Sequence, residues 1–132
     1  MNGRELAMQA HKFAEERRNK EAAWLQERIE KAKKIQDATA EAKLALSAAM
    51  KEFSNNCPGL SFNMDDGVFS IGECKIVKVS VSVWDGNDGQ MKKNWYIDVY
   101  PCWPKNDRNE EYRFTNEEQF SERFAEVISW FL

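Results

Sequence analysis

The stretch that decides the fold is VKVSVSVWDGNDGQMKKNWYIDVY, residues 77–100. Val77, Val79, Val81 and Val83 alternate with Lys78, Ser80, Ser82 and Trp84. A period of two sends alternate side chains to opposite faces of a strand, so the run predicts one apolar face and one polar face. Asp85-Gly86-Asn87-Asp88-Gly89 supplies the turn, and a second strand runs from about Lys93 to Tyr100 with Trp95, Ile97 and Val99 on its apolar side. The other face of this hairpin carries Lys78, Ser80 and Ser82, together with Tyr96, Asp98 and Tyr100. Its role is the functional question that the sequence poses.

Working outward toward the N-terminus, the period of two continues. A strand is predicted over roughly residues 74–84, preceded by Val68–Ile71 and by Leu60–Met64, with Asp65-Asp66-Gly67 as the turn between the first two. Toward the C-terminus, Pro101 and Pro104 remove ladder donors and make residues 101–111 a loop. Tyr112–Phe114 forms a short edge strand. Thr115 and Glu118 then match a capping box, and Phe120, Phe124, Val127, Ile128 and Phe131 form the apolar face of a closing helix. That face is expected to pack on the valine side of the sheet.

The first part of the chain has a different period. Between Gly3 and Pro58 there is neither Gly nor Pro, and Ala, Glu, Lys, Gln and Arg dominate. These residues lose little side-chain freedom in a helix. Apolar residues at Leu6, Ala10, Phe13, Trp24, Leu25, Ile29, Ala32, Ile35, Ala42, Leu46, Ala49, Met50 and Phe53 recur mostly at steps of three and four. The stripe weakens at Arg17 and Glu21, but no residue there breaks a helix. Asn55 to Gly59 ends it. The fold class read from these periods is α+β: a long N-terminal helix, a four- to five-stranded antiparallel meander, and a C-terminal helix packed on the sheet. The division expected is residues 1–56 as a helix for oligomerisation or partner contact, and residues 57–132 as a compact unit.

Length makes the helix informative. At ~1.5 Å per residue, a helix from Arg4 to Phe53 is about 75 Å long. A compact unit of about 80 residues is roughly 30 Å across. So small a body cannot cover the whole stripe, and exposed apolar surface marks an interaction site. Phe13, Trp24, Leu25, Ile29 and Ile35 are therefore the expected contacts with a partner or a second copy, most simply in a homodimer. The alternative is a helix that folds back on itself. The seam is rich in Ala and lacks a regular Leu/Ile heptad, which argues against an ordinary two-stranded coiled coil.

Charge and chemistry narrow the function. Net charge is −3 overall, with 11 Lys/Arg against 9 Asp/Glu in residues 1–53 and 8 against 13 in residues 54–132. An acidic C-terminal part repels a phosphate backbone, which disfavours nucleic acid. His11 is the single histidine, and it stands in the N-terminal helix, a poor place for a general base. Cys57, Cys74 and Cys102 match no zinc spacing and read as small packing residues. The 85–89 run resembles a calcium loop but has Gly89 at its fifth position and Tyr96 at its twelfth. No phosphate-binding glycine motif and no nucleophile elbow is present. The expectation is a protein without enzymatic activity, metal or cofactor. The charged N-terminus and the lack of a long apolar run predict a cytoplasmic protein with reduced thiols and no membrane contact.

The function expected is a non-catalytic protein-binding module. It self-associates through its helix and offers an acidic αβ surface to a protein partner, as an inhibitor or regulator does. A phage- or plasmid-encoded antagonist of a host nucleic-acid-handling machine fits that description, because an acidic surface can fill a basic cleft. A second expectation is single-stranded nucleic-acid binding on the polar sheet face, with Lys78, Trp84, Lys92, Lys93, Tyr96, Tyr100 and Trp103 as candidate residues. A small enzyme of unidentified type is the third. The order of elements is common among small adaptor and regulatory proteins, so by itself it decides nothing.

Overall fold

The structure is a computed structural model and describes residues 2–86, 88–102 and 104–132. Helix α1 is Gly3–Asn55, followed by β1 (Leu60–Asn63), β2 (Val68–Ile71), β3 (Cys74–Asp85), β4 (Met91–Val99), β5 (Glu110–Phe114) and α2 (Glu117–Ser129). The strands form one antiparallel sheet in the order β1-β2-β3-β4-β5. The protein is thus α+β, with a long first helix, a five-stranded meander and a closing helix. Internal contacts divide the chain into residues 1–36 and 37–132.

Residues 3–36 are helical throughout. Asn2 opens the helix: its side-chain oxygen accepts from the Arg4 N–H at 2.9 Å and its carbonyl from the Leu6 N–H at 3.1 Å. An Asn in this position satisfies a backbone donor that the helix leaves free.

In the second unit, the Val face of β3 meets its counterpart on β4 through the pairs Val77↔Val99, Val79↔Ile97 and Val81↔Trp95. Phe120, Phe124, Val127 and Ile128 of α2 and the following Phe131 close over it, each buried. Burying a side chain of this kind contributes about 1.5–3 kcal/mol. The last turns of α1 lie on the same face. Met50 and Phe53 join the main core, while Ala38, Ala42 and Leu46 pack with Val81, Val83, Met91 and Trp95.

Register explains two residues that strict alternation does not. Ile76 and Val77 are both fully buried although they are neighbours. Phe69 pairs with Val77 but Ser70 pairs with Lys75, so Ile76 is an extra residue in β3 opposite β2. Such a bulge turns two consecutive side chains toward one face. Val79 N–H donates to the Gly67 carbonyl at 2.9 Å, and Gly67 has φ +72°. A Cβ on Gly67 would lie 2.5 Å from the Val79 oxygen, so only glycine fits this approach.

The starts of α2, β4 and β5 differ from the sequence reading. Helix α2 is capped by Asn116 rather than Thr115: its side-chain oxygen accepts from Gln119 N–H at 3.1 Å. Strand β4 begins at Met91, because Met91 and Lys92 pair with Asp85 and Trp84. Strand β5 begins at Glu110, because pairing to Val99 and Asp98 recruits Glu110 and Glu111 from the expected loop.

Candidate functional site

The N-terminal segment displays the expected apolar residues. Phe13, Trp24, Leu25 and Ile29 are 62%, 58%, 54% and 53% exposed, and Ile35 is half-buried. Phe13, Trp24 and Ile35 are spaced eleven residues apart, about three helical turns, so they share one side. Leu25 and Ile29 lie roughly a third of a turn away. Arg17, Lys20, Arg28 and Lys31 fall on the same side as Trp24, with Glu21 and Glu27 at its margins, so large apolar groups there stand among an excess of cations. The Arg28 guanidinium sits 4.8 Å from the centre of the Trp24 ring, and Lys31 pairs with Glu27 at 3.4 Å. A cation over an indole face is held by the ring quadrupole while both groups stay available to a partner. The two structural units differ in charge: residues 1–36 hold nine Lys/Arg and six Asp/Glu, and residues 37–132 hold ten and sixteen.

The polar face of the sheet is the second candidate. Both helical elements of residues 37–132 pack on the valine side, and neither covers this one. Side chains stand in rows across the strands: Trp84 beside Lys92, Ser82 beside Asn94, Ser80 beside Tyr96 and Arg113, Lys78 beside Asp98 and Glu111. The Lys92 ammonium lies 5.5 Å from the Trp84 ring centre and 3.8 Å from Asp88. With the Asn94 amide turned so that its oxygen faces the indole, Trp84 Nε1 donates to it at 3.2 Å. The Tyr96 hydroxyl is 3.3 Å from Ser82 Oγ. Tyr100 continues the row past the end of β4, its N–H donating to the Ile76 carbonyl at 2.8 Å. Lys93 is separated from this group. It pairs with Val83, stands on the helix-covered side, and lines a groove with Ala45, Ala49, Glu117 and Ser121. Trp103 lies outside the described residues.

This face is not a basic patch. Lys78, Lys92 and Arg113 are opposed by Asp98 and Glu111, which sit together in one row, and by Asp88 beside Lys92. Lys92 stands at the Trp84 end, Arg113 in the middle beside Tyr96, and Lys78 in the carboxylate row toward Tyr100.

On the opposite side, at the β5 edge, the Tyr112 hydroxyl donates to Glu110, and Arg123 of α2 lies 5.0 Å from the Tyr112 ring centre. The Glu110 carboxylate pushes the Tyr112 pKa up, burial adds to this, and Arg123 opposes it.

One arrangement has no counterpart in the sequence reading. Cys74, the first residue of β3, and Cys102, just beyond β4, are 28 residues apart, yet their sulfurs lie 2.7 Å apart. Both are half-buried free thiols. The Cys102 sulfur raises the Cys74 pKa by hydrogen bonding, and burial and the charge on Cys102 raise it further. Cys57, also half-buried, ends the α1 region, where its N–H donates to the Ser54 carbonyl at 3.2 Å.

Among the described residues, no group of three or more His, Cys, Asp or Glu side chains is placed to hold a metal ion. No helix among them is long and apolar enough to cross a membrane. Compared with protein-family models, curated proteins and solved structures, the chain matches none.

Proposed function

We propose that this protein is a non-catalytic binding module that associates with a second copy of itself through residues 1–36 and presents its acidic C-terminal unit to other proteins. One observation carries the reading: Phe13, Trp24, Leu25 and Ile29 are each more than half exposed on an unbroken helix. Large apolar groups held in water cost free energy that association recovers, and Trp and Arg are the residues that most often dominate an interface.

Charge favours a second copy as the occupant. The Trp24 side carries Arg17, Lys20, Arg28 and Lys31, while residues 37–132 carry an excess of six acidic groups. A basic, aromatic helix side on one copy complements the acidic unit of the other, and complementary charge sets both rate and orientation of docking. The remaining acidic surface suits a basic partner, in the manner of an inhibitor or regulator that occupies a cationic cleft. Light scattering on the whole chain tests the association. A dimer that weakens as salt rises supports the electrostatic part, and a dimer indifferent to salt removes it.

A second reading rests on the uncovered sheet face. Trp84, Lys92, Tyr96, Arg113 and Lys78 offer rings and cations along successive rows, which suits stacking of single-stranded bases. Asp98 and Glu111 oppose it. Fluorescence anisotropy with a labelled oligonucleotide at low salt decides: saturable binding weakened by Tyr96→Ala supports it, and no binding ends it.

A further inference from the structure

The β3–β4 register runs Val77↔Val99 through Asp85↔Met91, and the Tyr100 N–H bond to the Ile76 carbonyl extends it by one residue. Continued two residues further, the same register sets Cys74 directly opposite Cys102. Directly opposed residues in an antiparallel pair have Cα atoms about 4.5–5.5 Å apart, inside the roughly 4.4–6.8 Å that a disulfide spans. The sulfurs already face each other at 2.7 Å. The backbone around Cys102 is fixed independently of the thiols: Cys102 and Asn106 exchange N–H···O bonds of 2.7 and 3.0 Å, and the Asn106 side chain donates to the Tyr100 carbonyl at 3.1 Å. Each cysteine keeps part of its surface in water, so a small reagent has access to both.

We infer that Cys74 and Cys102 form a redox-active dithiol whose substrate is a low-molecular-weight disulfide, and whose product is a reversible cross-strand disulfide at the open end of the β3–β4 hairpin. With oxidised glutathione, a thiolate of the pair attacks one sulfur, the glutathione S–S bond breaks, and one glutathione leaves as a thiolate that takes up a proton. The second cysteine, as its thiolate, attacks the protein sulfur of the mixed disulfide and releases the second glutathione. The protein loses two electrons and two protons, and one glutathione disulfide becomes two thiols. The Gly86 N–H bond to the Gln90 carbonyl, at 2.9 Å, already ties the other end of the two strands, so the oxidised hairpin is closed at both ends. Cys57 stands outside this geometry and stays a thiol.

The test uses the whole chain. Reduced protein is incubated with oxidised glutathione, alkylated with iodoacetamide, digested without reductant and analysed by mass spectrometry. The expected result is a bridged Cys74–Cys102 peptide pair with Cys57 alkylated, and three alkylated cysteines after treatment with dithiothreitol. In Cys74→Ser, glutathione should remain attached to Cys102, because the resolving thiol is gone. Three alkylated cysteines after oxidation, stable glutathione adducts on both Cys74 and Cys102 of the wild type, or a bridge that includes Cys57 would each overturn the inference. The wild-type peptide map stands by itself if the variant fails to fold.

Discussion

Phe53 of α1 and Phe124 of α2 meet edge to face, with ring centres 5.2 Å apart. This contact joins the two helical elements on one side of the sheet, and it leaves the side bearing Trp84, Tyr96 and Lys78 uncovered by either of them. Phe124 is buried. Phe124→Ala should cost about 3–5 kcal/mol, as large cavities in cores do. A double-mutant cycle of Phe53→Leu and Phe124→Leu should return a coupling of about 0.5–1.5 kcal/mol. Denaturant unfolding measures both.

Gly67 is the backbone position least open to substitution. Its positive φ and the Val79 oxygen 2.5 Å from any added Cβ act together. Gly67→Ala should destabilise by roughly 2 kcal/mol or more. Gly72→Ala serves as a control. It also has a positive φ but no neighbour within 4 Å of an added Cβ, and should cost less.

The cap of α2 separates two adjacent residues. Asn116→Ala removes the acceptor for Gln119 N–H and should cost about 1 kcal/mol. Thr115→Ala should change stability by less than about 0.5 kcal/mol, since Thr115 is exposed and does not cap the helix. Equal losses in the two variants would contradict this assignment.

Tyr112 ties alkaline stability to Glu110. Its pKa is raised in the folded state, so the proton is held more tightly there than in the unfolded chain. The resulting stabilisation is complete below the ordinary tyrosine pKa of about 10 and is lost as pH rises through the folded value. Glu110→Gln should bring Tyr112 ionisation back toward the ordinary range. Phenolate absorbance of the wild type, compared with Tyr112→Phe, isolates this group from Tyr96 and Tyr100. An unchanged titration in Glu110→Gln would contradict the assignment.

The elements were legible wherever one physical rule dominated locally. Valines at 77, 79, 81 and 83 declare a strand face, and a segment from Gly3 to Asn55 without an internal breaker declares a helix. What escaped the sequence depends on partners distant in the chain. The Ile76 bulge exists only because β2 and β4 pair with β3 in different registers. Glu110 and Glu111 have a loop-like composition and become strand because β4 offers them a ladder. Asn116 and Thr115 are both competent caps, and only the path from β5 chooses between them. Charge alone groups Lys93 with Tyr96, whereas alternation puts Lys92 and Asn94 on the Tyr96 face and Lys93 on the other. Cys74 and Cys102 fall opposite each other once Val77 is known to pair with Val99, so hairpin register was the signal for the thiol pair. Composition and spacing contain no such signal.

Association through residues 1–36 is the central claim, and the molar mass of the whole chain in solution tests it most directly. Light scattering after size exclusion, over a range of concentrations, should give twice the 15.4 kDa chain mass for the wild type. Trp24→Glu combined with Leu25→Glu should reduce it to a single chain mass with helix content unchanged, because both side chains are already exposed. A wild type that stays at one chain mass at every concentration, or a dimer untouched by these substitutions, would contradict it.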